Sequence, residues 1–261
     1  MRCWGFAVFL FFSFAAQARV SVDQVLEEST GFVVQKERGK ALKVLAEALE
    51  RKDLSKSDQE KLKAAQKRVE EIFFTDRGQS LYESAKNLYL ISSPLAAKKM
   101  AESLALEGDN VLILKGLVLA ELKDGQCDSA KENFQKWRSV QSSPFDAFDA
   151  LFWYCKGSAP AEFSDENLSL WMKSFFDGVF ALWRDKKEAA ENAFLKAAEL
   201  NPDFPEISYW LWKVNPQRLD AGLKYKHACE TQKMKWVKKF EEFPWICQYQ
   251  NEVSGLEDVD E

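Results

Sequence analysis

The chain has 261 residues, with 36 Lys and Arg against 41 Asp and Glu, for a formal charge of −5. Its 46% hydrophobic content supports a sizeable core and excludes a chain that stays unfolded, and the acidic balance speaks against a nucleic-acid partner. Only 11 Gly and 7 Pro disfavour a turn-dense β fold, and a single His excludes most imidazole-centred metal and acid–base sites.

Taken in chain order, Arg2 precedes an apolar run from Trp4 to Phe14. Ala16-Gln17-Ala18 then places small residues at the two positions a signal peptidase reads. The run is too short to cross about 30 Å of hydrocarbon. Residues 1–18 are therefore expected to be a signal peptide cleaved between Ala18 and Arg19. That would leave an exported chain without a stable membrane anchor, in the periplasm of a Gram-negative bacterium or otherwise secreted. Export removes Cys3 and leaves Cys127, Cys155, Cys229 and Cys247 to an oxidising compartment. Four cysteines allow three pairings. The sequential one, Cys127–Cys155 with Cys229–Cys247, is the expectation, at about 3 kcal/mol per bridge.

Beyond Arg19 the apolar spacing is helical. Ala41, Leu42, Leu45, Ala46 and Leu49 form one stripe. Ser57 with Glu60 reads as a capping box for a charged helix over 59–74. Pro94 opens a helix carrying Ala96, Met100 and Leu104, and Ser164-Asp165 cap a segment running to Trp183. Breaks such as Lys123-Asp124-Gly125, Ser142-Ser143-Pro144 and Arg184-Asp185 divide the chain into roughly a dozen helices.

Gly178 is followed by Ala190, Phe194, Ala197 and Pro202. This spacing resembles the tetratricopeptide repeat (TPR), with a small residue along helix A and the pattern A-x3-F…P in helix B. Ser174 and Asp177 depart from the family's preferred Trp and Leu. Gly116, Ala130, Phe134 and Pro144 repeat the pattern more weakly, as do Ala85, Ala97, Ala101 and Leu104, while Ala41, Leu45 and Ala48 suggest a degenerate first unit. The resemblance implies an all-α fold, a TPR-like α-solenoid of antiparallel helix hairpins forming one domain over 19–250. Its best repeats fall at 79–109, 110–144 and 171–204, an atypical pair is inserted at 145–161, and a C-terminal helical cap spans 205–250. In that cap Cys229 and Cys247 would clip a helical hairpin. Residues 251–261 read as a disordered acidic tail.

The same resemblance implies a concave surface that holds a partner peptide or protein segment. Mapped onto this chain, its positions are Gln79, Tyr82, Lys86 and Tyr89 in the first unit, Asn110, Ile113, Leu117 and Glu121 in the second, and Met172, Phe175, Val179, Leu182 and Trp183 in the third. The surface is mostly apolar. Two outcomes are open for the third unit: an exposed binding face, or a face filled by the protein's own C-terminal helices. Tyr82, Lys86, Tyr89, Ile113 and Leu117 are the expected partner-binding residues, and Gly116, Gly178, Ala190, Phe194, Ala197 and Pro202 the packing residues. No nucleophile elbow, P-loop or metal-binding motif appears, so neither catalytic residues nor cofactors nor a metal are expected. His227 reads as a surface residue, the Glu27-Glu28, Glu70-Glu71 and Glu241-Glu242 pairs as solvated faces, and Asn167-Leu168-Ser169 as a chance sequon. The expected function is an exported, non-catalytic protein–protein interaction scaffold. Alternatives are a cell-wall glycan-binding or hydrolysing protein using Trp faces and paired Glu, or a structural component of envelope assembly.

Overall fold

The computed structural model describes residues 20–140, 147–161, 163 and 168–256. The expected signal segment and its cleavage point, the Ser142–Pro144 break, the Ser164-Asp165 cap, Asn167 and residues 257–261 lie outside the described residues. Among the described residues the fold is all-α, with fourteen helices and no strand. The chain divides into two compact units, one ending at Gln66 and one beginning at Lys67, a boundary absent from the single-domain expectation.

The first unit contains α1 (Val22–Val34) and α2 (Arg38–Leu49), and α3 (Lys56–Glu71) begins in it. Ser21 caps α1 with a reciprocal capping box to Gln24, and the Ala41, Leu42, Leu45 stripe of α2 is buried. The cap of α3 is Ser55, whose Oγ accepts the Asp58 N–H at 3.1 Å, so the helix starts before the expected Ser57 box. Ser55 precedes the first turn, and its hydroxyl can reach an otherwise orphaned N–H.

The second unit contains consecutive packed helices α4 (Asp76–Leu88), α5 (Ser93–Glu107), α6 (Val111–Lys123) and α7 (Cys127–Val140). They are followed by α8 (Phe148–Lys156), α9 (Leu170–Trp183), α10 (Lys187–Leu200), α11 (Pro205–Val214) and α12 (Leu219–Thr231). Two short helices end the chain, α13 (Lys233–Lys239) and α14 (Gln250–Val253), and residues 240–249 form a turn-rich strap between them. Among the described residues, the expected inserted pair at 145–161 contains one helix, α8. The hairpins α1–α2, α6–α7 and α9–α10 share one three-residue turn. Its middle residue, Lys36, Gly125 or Asp185, takes a left-handed backbone. The N–H of the next residue reaches back five positions along the helix end, as in Glu37 to Phe32, Gln126 to Glu121 and Lys186 to Ala181.

Of the expected packing residues, Gly178, Ala190, Phe194 and Ala197 are buried, Gly116 is half-buried and Pro202 is exposed. A Cβ on Gly178 would lie 2.6 Å from the Phe194 ring, and Ala190, Phe194 and Ala197 are fully buried. A Cβ on Gly116 would meet the Met100 thioether at 2.9 Å. Pro202 follows the end of α10, its carbonyl accepting from Lys224. Both expected disulfides are present, Cys127–Cys155 with Cα atoms 5.8 Å apart and Cys229–Cys247 at 5.4 Å. The second joins α12 to the strap, not to another helix. Residues 251–256, expected to belong to a disordered tail, are packed. Val253 is fully buried, Glu252 accepts from Tyr209 and Lys213, and Leu256 packs where a Cβ on Gly222 would go.

Candidate functional site

Of the five expected partner-binding residues, the structure keeps Tyr82, Lys86 and Tyr89 at a surface cleft and removes Ile113 and Leu117 from it. Ile113 and Leu117 are buried against Ala85, Ala97, Met100 and Ala120. The reason lies in α6, whose Val111, Ile113, Leu114, Leu117, Val118 and Leu119 cover nearly every face, and a helix apolar all round is enclosed by its neighbours. Asn110 and Glu121 are likewise structural. Asn110 caps α6 through the N–H groups of Leu112 and Ile113, and Glu121 accepts from Ser129 and Asn133 of α7.

The third unit's face is filled from within the chain. Trp171 lies 6.0 Å from Phe240 and Phe175 lies 5.8 Å from Phe243, ring centre to ring centre. Tyr154 of α8 sits at the centre of this aromatic packing, 4.8 Å from Trp245. Of the eight Trp residues beyond the signal segment, Trp137, Trp210, Trp236 and Trp245 are buried and the other four half-buried.

The strap that fills this face is tied down repeatedly. The Cys247 N–H donates to Glu206 Oε1 at 2.6 Å, and the Tyr249 N–H donates to the Tyr225 hydroxyl at 3.0 Å. Lys115 of α6 binds Glu242 at 2.8 Å and Glu241 at 3.7 Å, and Lys239 binds Asp203 at 2.6 Å. Glu206 is fully buried, and burial pushes its carboxyl up to about 8 against the hydrogen bonds that favour the anion.

Between this C-terminal segment and helices α4 and α6 an open cleft of about 550 Å³ remains. Tyr82, Lys86, Tyr89 and Leu90 form one wall, Leu112, Gly116 and Leu119 the floor with Met100, and Val237, Lys238 and Glu241 the opposite side. Lys86 Nζ lies 5.4 Å from the Tyr82 ring centre and pairs with Glu83 at 3.2 Å. Burial, helped by Glu83 and Glu241, pushes the Tyr82 hydroxyl up to about 12, and burial raises Tyr89 as well. Both phenols therefore stay neutral donors. Gly116 is part of the floor because a larger residue would collide with Met100 and narrow the cleft.

Sequence reasoning missed Val237, Lys238 and Glu241, which approach α4 across more than a hundred residues of chain. His227 is exposed on α12, as expected. Among the described residues no group of His, Cys, Asp or Glu is placed to hold a metal ion, and no helix is long and apolar enough to cross a membrane.

Fold and site together define an all-α protein of packed helix hairpins, stapled by two disulfides, with one side of a cleft supplied by its own C-terminal segment. No protein-family model, curated protein or solved structure matches the chain.

Proposed function

We propose that this is an exported, non-catalytic binding protein of TPR-like build that takes an apolar segment of a protein partner in the cleft between α4, α6 and α13. The observation that carries this reading is the convergence of Tyr82, Lys86 and Tyr89 on one open wall with about 550 Å³ beside it. That volume is within the range of recognition pockets, and aromatic walls with a few polar groups suit the large side chains of a partner. Burial of Ile113 and Leu117 confines the reading to a pocket for a few side chains, not a long concave track. The carboxyl with the strongly raised proton affinity, Glu206, is sealed in the core, which supports a structural assignment for it. Two disulfides support export, since such bridges persist in oxidising compartments.

One preparation tests the reading. The protein recovered from the exported fraction should begin at Arg19. Partner capture by the purified chain should fall at least tenfold for Tyr82→Ala while its melting temperature moves by no more than a few degrees. Undiminished capture by Tyr82→Ala would remove the cleft from the reading, and an intact Met1 terminus would remove export.

A further inference from the structure

Beside the 550 Å³ chamber lies a second of about 250 Å³, and the two share Tyr89, Leu90, Val237 and Glu241. They are two parts of one cleft. Its charge runs against that of the chain. The sequence carries an excess of Asp and Glu, yet Lys86, Lys115, Lys123, Lys233 and Lys238 line the cleft against the single carboxylate Glu241. Glu241 and Glu242 neutralise Lys115, and Glu83 meets Lys86. Lys123, Lys233 and Lys238 have no carboxylate within ion-pair distance among the described residues.

Lys123 and Lys233 both line the smaller chamber. Lys123 is fixed there, its Nζ donating to the Tyr89 carbonyl at 3.2 Å and lying 4.6 Å from the Tyr89 ring centre. Burial and the charge of Lys233 lower its proton affinity, the expected cost of holding two ammonium groups at one half-closed space. An anion placed between them removes that cost. Tyr89 lines both chambers with its side chain, while its hydroxyl is enclosed in the protein without a hydrogen-bond partner. The rest of the smaller chamber mixes apolar Leu90, Val237, Phe243 and Ile246 with polar Ser93, Glu241 and Gln248.

We infer, resting on the partner-binding reading above, that the cleft takes an acidic-apolar segment of a protein partner. A large apolar side chain fills the chamber beside Tyr82, and the carboxylate of an adjacent Asp or Glu sits at Lys123 and Lys233.

Short blocked peptides test this with the full mature chain. The probes are acetyl-Gly-Phe-Glu-Gly-amide, the same peptide with Phe and Glu exchanged, and counterparts carrying Gln or Lys in place of Glu. Binding is followed by chemical-shift titration at 50 mM and 300 mM salt. At least one Glu peptide should bind about tenfold tighter than its Gln counterpart at low salt and lose most of that advantage at high salt. Lys233→Gln changes an exposed side chain, so folding is retained, and it should bring the Glu and Gln peptides to within about twofold of each other. Lys123→Met should do the same. Equal binding of Glu and Gln peptides to the unmodified chain would overturn the acidic preference while leaving the cleft as a partner site. No shift at Tyr82 or Tyr89 with any peptide would overturn both. Hexanoate binding at least as tightly as the Glu peptides would overturn the assignment to a protein segment and point to a small amphipathic anion.

Discussion

At Gly178 the absence of a side chain sets how closely α9 and α10 approach. The Phe194 ring that a new Cβ would strike is fully buried and lies between Phe175 at 6.0 Å and Trp210 at 6.1 Å, so it cannot swing away. Gly178→Ala should lower stability in chemical denaturation by about 2 kcal/mol, overpacking outweighing the roughly 1 kcal/mol gained in helix propensity. Gly116→Ala is the contrasting case, because it meets the flexible end of Met100, and its net effect should stay within about 1 kcal/mol. Glu206 makes a different residue-scale prediction. Its carboxyl titrates near 4.5 when exposed and at about 8 when folded. Between those values the unfolded chain releases the proton and the folded chain keeps it, so this group's contribution to stability falls as pH rises and levels off above about 8. Glu206→Gln should flatten the decline in melting temperature between pH 5 and pH 8.5, and an unchanged slope would assign the decline to other groups.

At the scale of the element, three hairpins of quite different sequence end their first helix in the same way. Glycine takes the left-handed position without strain at Gly125, whereas Lys36 and Asp185 hold it at a cost of about 1 kcal/mol. Asp185→Gly should therefore stabilise the α9–α10 hairpin by about 0.5–1 kcal/mol in urea denaturation, less the extra entropy glycine gives the unfolded chain. A destabilisation would mean that the Asp185 side chain contributes more than its backbone costs. The helix pairs were legible in the sequence because 3.6-residue periodicity, caps and breaks are local properties. The Ser57 box failed for the same reason: with Ser at both 55 and 57, the local pattern allows either start, and only the finished helix shows which hydroxyl meets a free N–H.

For the whole molecule, both disulfides lie in the unit beginning at Lys67, one closing α7 to α8 and one holding the strap to α12. Reducing them should destabilise that unit by several kcal/mol, at about 3 kcal/mol per bridge, and leave the α1–α2 hairpin untouched. Hydrogen exchange read by mass spectrometry should show faster exchange over 240–249 after reduction, with α1 and α2 unchanged. Equal acceleration in both units would indicate that they unfold as one. The aromatic packing of Tyr154, Phe175, Phe243 and Trp245 depends on the same tether, so the cleft wall at Val237 and Glu241 should loosen with the strap.

By itself the sequence determined the helical class, several of the breaks between helices, the close-packing glycines and the expectation that the two disulfides match. Each of these rests on residues near one another in the chain, or on a count of cysteines. The burial of Ile113 and Leu117 was partly legible too, since α6 is apolar on nearly every face and such a helix is largely enclosed by its neighbours. Only the tertiary structure decided where the cleft lies. Its second wall comes from Val237, Lys238 and Glu241, and no periodicity or spacing encodes their arrival opposite Tyr82. That arrangement comes from long-range packing. Aromatic burial, one disulfide and a buried Glu206 draw the C-terminal strap across the hairpins, cover one groove and leave the other open.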